Sequence, residues 1–166
     1  MTKIITGLLA ALLFLGCSSQ EAQTPVEPKL VLKQSLEDLK LNNQFEIMGS
    51  ILPETQKVIF AFSKDVGHNC NDFFASKEAT YLKSNNAQFI ADVSGAPSLI
   101  RSMFIMPGLK DFKHNILVID DKSISRAYKT EQNSEKIVVV SVNNKVITNI
   151  EYLNNTQELS KNLQND

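Results

Sequence analysis

Cysteine is nearly missing from this chain: Cys17 and Cys70 are the only two among 166 residues. No Cys-x-x-Cys pair exists, nor the His-x-x-x-His spacing common in zinc and copper sites. Charge of one sign is lacking as well. With 17 basic and 18 acidic residues and a net charge of −1, the whole chain offers no electrostatic case for nucleic acid or for anionic lipid headgroups. A glycine-rich phosphate loop, a Ser-His-Asp order, internal repeats and low-complexity tracts are all absent. No apolar run beyond residue 15 approaches the length of a membrane span.

What is present begins at the amino terminus. Lys3 and the free amine precede an apolar core over residues 4–15, which is too short to cross a bilayer as a helix and has the make-up of a secretory signal. It ends at Leu13-Phe14-Leu15-Gly16-Cys17, after which the chain turns polar at Ser18-Ser19-Gln20-Glu21. This junction resembles a bacterial lipobox, with small Gly16 before the cleavage point and Phe14 where a smaller aliphatic residue is usual. The resemblance implies removal of residues 1–16 and acylation of Cys17. Several acyl chains on one residue hold a protein to a membrane where a single chain would not. Ser18 in place of Asp resembles the pattern of lipoproteins sent to the outer membrane, so the expected location is the bacterial envelope, facing the periplasm.

Residues 17–29, rich in Ser, Gln, Glu, Thr and Pro, read as a tether. Residues 30–166 read as one domain, a length that supports its own core. The expected state is a monomer without cofactor or metal, its partners being the membrane through Cys17 and a protein of the envelope. Acylation would make the Cys17 sulfur a thioether and leave Cys70 without an intramolecular disulfide partner.

Within the domain, residues 36–41 and 44–47 flank Asn42-Asn43 and read as a hairpin. Residues 57–62 form an apolar run of the kind buried on both faces in a central strand. A polar loop over 63–69 should lead into a helix over 71–83, capped by Asn69 or Asn71, with Phe73, Phe74, Tyr81 and Leu82 on one face. A strand over 88–93 follows. A helix over 98–106, closed by Pro107-Gly108, carries Ile100, Met103, Phe104 and Met106 at core-facing spacing. Then come a strand over 116–119, a turn at Asp120-Asp121-Lys122, a second hairpin over 136–152 through Asn143-Asn144, and a last amphipathic helix from Thr156 with Leu159 and Leu163. Strands alternating with helices describe an α/β layer fold with a mixed central sheet.

That order resembles the redoxins. Ser35-Leu36-Glu37-Asp38-Leu39-Lys40-Leu41-Asn42-Asn43-Gln44 is similar to their leading hairpin, and Val58-Ile59-Phe60-Ala61-Phe62-Ser63 to the strand carrying their active-site loop. Ile116-Leu117-Val118-Ile119-Asp120-Asp121, continuing to Ala127-Tyr128, is similar to a peroxiredoxin segment. The late hairpin also resembles exported thioredoxin-like proteins of the YtfJ type. The resemblance covers about residues 30–163 and implies a thioredoxin-like fold, a mixed central β-sheet flanked by helices with an N-terminal hairpin.

The chemistry then rests on Ser63-Lys64-Asp65-Val66-Gly67-His68-Asn69-Cys70. In the pattern Gly67-x-x-Cys70 no sulfur stands at the attacking position of a thioredoxin, which excludes dithiol exchange within the chain. Peroxiredoxins use Pro-x-x-x-Thr-x-x-Cys, and their spacing survives as Ser63-x-x-x-Gly67-x-x-Cys70 without the hydroxyl that orients peroxide. Where they place an arginine near a late strand, this chain has Lys136, which lacks the planar fork; its two arginines, Arg101 and Arg126, lie elsewhere. The missing partners favour a non-catalytic domain. The alternative is a single-cysteine, peroxidase-like oxidoreductase with Cys70 as nucleophile and His68 as base or charge partner. Asp65, His68, Cys70 and Asp72 also have residue types that suit a transition metal, though in none of its common spacings, and a solvated polar loop explains them better.

Overall fold

The computed structural model describes residues 26–164, so Cys17, the signal segment and all but the end of the tether lie outside the described residues. Seven strands form one mixed sheet in the order β2-β1-β5-β4-β3-β6-β7. Its centre is β3 (Lys57–Ala61), β4 (Ala87–Asp92) and β5 (Ile116–Ile119), paired in parallel. On one side β6 (Ile137–Asn143) and β7 (Val146–Leu153) add antiparallel; on the other, β1 (Lys40–Asn43) and β2 (Met48–Ser50) do the same.

The run over 57–62 forms a central strand buried on both faces, as expected, and β4 and β5 are buried in the same way. Alternation along β3 and β6 divides their side chains between two core layers. Ile59, Ala61, Ile137 and Val139 join the layer covered by α1 (Lys64–Ala75), α4 (Met106–Lys110) and α6 (Thr156–Gln164). Val58, Phe60, Val138 and Val140 join the opposite layer, which is closed by Leu36, Leu39 and Tyr128 of α5 (Lys122–Tyr128).

Four local expectations need correction. The first hairpin exists, but Asn42 and Asn43 lie within β1. Asn43 accepts from the N–H groups of Phe45 and Ile47, and the left-handed residue is Glu46, φ 64°. An Asn side chain that closes the turn from the strand's end displaces the tight two-residue loop. In the second hairpin the turn residues are Asn144 and Lys145, φ 48° and 65°, one position later than expected.

The third correction concerns the first long helix. It starts at Lys64 instead of 71, capped by Ser63, whose hydroxyl accepts from the Val66 N–H at 3.4 Å, and it stops at Ala75. Tyr81–Ser84 is a separate short helix, α2. Fourth, the helix beginning with α3 (Ser98–Ile100) does not stop at Pro107-Gly108. It passes through a π-helical stretch, Arg101–Ile105, into α4. The wider turn ahead of Pro107 accommodates a residue that can donate no backbone bond and whose ring would crowd an α-helical turn.

Candidate functional site

The earlier start of α1 decides the environment of Cys70. Ser63 caps the helix, so Cys70 is its seventh residue, nearly two turns in, beyond the orphan amides and the strongest part of the helix dipole. It is completely buried, in the same cluster as Ile59, Phe74 and Phe89. Burial pushes its thiol up to about 12 from the ordinary 9.0, so the thiolate is scarce at neutral pH.

His68 does not meet Cys70. Two residues apart on a helix, the side chains diverge, and His68 is exposed while Cys70 faces the sheet. Asp65 and Asp72 are exposed too, and among the described residues no group of three or more His, Cys, Asp and Glu is placed to hold a metal. The nearby cation of the sequence pattern, Lys136, precedes β6 and donates to Asn154 Oδ1 at 2.5 Å. Arg101 donates to the carbonyls of Ser94 and Ala96, and Arg126 to that of Lys122. Gly67 lies inside α1, where a Cβ would meet nothing within 4 Å.

The fold brings one distant residue to this helix. His114 Nε2 lies 3.0 Å from Oδ1 of Asn71, the neighbour of Cys70, although 43 positions separate the two. Phe74, Phe89 and Phe112 surround the imidazole at 5.5, 6.2 and 5.3 Å between ring centroids. Burial lowers its pKa to about 4, so it is neutral, and Nδ1 has no hydrogen-bond partner. A lone His between Phe112 and Ile116 carries no sequence signal for this contact. Between α1, the start of β6 and the connection from β7 to α6 lies an open groove of about 490 Å³ lined by Val66, Phe73, Ile137, Asn69, Asp72 and Glu135. It is a largely polar trough, lined also by the hydroxyls of Ser76 and Thr156, and Cys70 does not open into it.

No known family profile and no curated protein match the sequence. Solved structures do match. Peroxiredoxin Q from Xanthomonas campestris superposes with a TM-score of 0.53 at 10% identity, covering 78% of this chain and 89% of that one. Enterococcus faecalis AhpC gives 0.50 at 16%, covering 80% and 90%. A peroxiredoxin-like protein from Aquifex aeolicus gives 0.50 at 10%, covering 84% and 89%. The domain has a redoxin fold. At such identities the likeness establishes the architecture alone, because one fold hosts many functions and activity resides in the site. In this domain the position that could carry thiol chemistry holds a sulfur sealed inside the core.

Proposed function

We propose that the protein is a lipid-anchored component of the bacterial envelope whose redoxin domain binds a partner and performs no thiol chemistry. The observation that carries the non-catalytic part is the setting of Cys70: no exposed surface, a place deep in α1, and a thiol pushed up to about 12. A peroxide must reach a thiolate for oxygen transfer, and neither access nor ionisation is favoured here. The anchor rests on the lipobox-like junction at Cys17.

Peroxide consumption and sulfenate trapping by the mature protein and its Cys70→Ala variant test this reading. Both proteins are expected to consume peroxide only at the uncatalysed rate, and Cys70 should react with a thiol reagent at least ~100-fold faster after unfolding than before. Peroxide-dependent sulfenate in the wild type, together with turnover lost in Cys70→Ala, would establish the peroxidase-like alternative instead.

A further inference from the structure

The outer side of the helix running from α3 through the π-helical stretch to α4 is unusually apolar. Leu99, Ile100, Met103 and Phe104 are 64, 42, 57 and 64% exposed. Their spacing, i, i+1, i+4, i+5, places them on one stripe. Ile105, Met106 and Leu109 pack towards the core from the same helix. The core-facing role expected for Ile100, Met103 and Phe104 therefore fails. The helix is apolar on both sides.

We infer that this stripe docks on the surface of an anionic phospholipid bilayer, lying in the headgroup boundary. The inference rests on the lipid-anchor reading above. Three observations support this occupant. First, Arg101, Lys110 and Lys113 stand against Asp111 and the Glu46 that pairs with Lys110, which leaves this region positive by one in a chain of net charge −1. Exposed Leu and Phe with lysines close by are the make-up of an interfacial helix. Second, the tip of the first hairpin, tied to α4 by Lys110 and Glu46 at 3.8 Å, exposes Phe45, Ile47 and Met48 at 51, 62 and 66%.

Third, the chain length permits it. The Lys29 N–H donates to the carbonyl of Ala127 on α5, and Leu30 packs on the layer opposite α4. The 13 residues from Cys17 to Lys29 could span at most roughly 45 Å when fully extended, and a domain of this size, with a radius of gyration of about 14 Å, is about 36 Å across. An anchored domain can therefore turn the helix stripe to the membrane. Anchoring keeps the bilayer at high effective concentration, so a weak interfacial contact becomes populated.

The test uses mature protein reconstituted in vesicles of phosphatidylethanolamine and phosphatidylglycerol. An environment-sensitive fluorophore is placed at Met103→Cys, or at Asn143→Cys beside the β6–β7 turn, with buried Cys70 out of the dye's reach. Quenching by spin-labelled lipid is expected at position 103 and not at 143, and should fall about tenfold in Leu99→Ser/Phe104→Ser, whose exposed sites leave the core untouched. Equal, weak quenching at both positions would overturn the docking, as would cross-linking of two copies through position 103 without lipid quenching. The intact mass reports acylation separately. A mature chain without lipid on Cys17 defeats the anchor reading, and flotation of that chain with the same vesicles then decides the docking: loss in the double variant supports it, and no flotation overturns it.

Discussion

The neutral imidazole of His114 is the residue whose environment should be felt most directly in solution. It lies among three phenylalanine rings with Asn71 as its one hydrogen-bond partner, and burial lowers its pKa from 6.5 to about 4. The unfolded chain takes up this proton near pH 6.5, and the folded one holds it off until about pH 4. Folding stability is thus fully present above pH 6.5 and declines as the pH falls through that window. Each pKa unit corresponds to about 1.4 kcal/mol, giving a loss of about 3 kcal/mol by pH 4. Denaturant unfolding at pH 7, 5.5 and 4.5 should show the slope, and His114→Gln should lack it. Cys70, one residue from Asn71, lies in the same dry interior, which raises its thiol pKa.

At the level of elements, α1 and the β1–β5 junction carry the clearest consequences. Gly67 is a helical residue with open space where its Cβ would stand. Glycine in a helix interior gives up about 1 kcal/mol relative to alanine. Gly67→Ala is therefore expected to raise stability by 0.5–1 kcal/mol, measured as an increased denaturation midpoint at unchanged slope. The β1–β5 junction, which pairs at Asn42↔Val118 and Asn43↔Leu117, continues into a buried amide. Gln44 donates to the carbonyl of His114 at 2.8 Å and accepts from the N–H of Ile116 at 2.9 Å. Gln44→Leu leaves both backbone groups without those partners in a dry site and should cost about 2–4 kcal/mol in chemical unfolding. The hairpins show how much of an element is legible in sequence. Asn-Asn pairs mark the neighbourhood of a turn, but which residue takes the left-handed conformation, Glu46 in the first hairpin and Asn144 with Lys145 in the second, depends on cross-strand register. That register is fixed by the need to bury Leu41 and Val142 in the core layer they share.

For the whole molecule, the proposed lipid anchor at Cys17 gives the most direct test. Cys17→Ala is expected to abolish incorporation of radiolabelled fatty acid and to move the protein from the membrane to the soluble fraction, as read by fractionation of labelled cells. A variant that still took up label would end the anchor reading. The apolar runs of residues 57–62, 88–93 and 116–119 and the amphipathic period from Thr156 by themselves marked these strands and the last helix, and the lack of a second nearby cysteine excluded dithiol exchange. These properties follow from composition and spacing along the chain. The depth of Cys70, the divergence of His68, the meeting of His114 with Asn71 and the exposure of Phe104 were decided only by tertiary structure. The physical reason is that a sequence period fixes which residues share a face, whereas helix starts and the neighbours meeting each face depend on contacts made across the chain. Capping by Ser63 moved the start of α1 forward, which placed Cys70 well inside the helix, while packing against the sheet buried its sulfur.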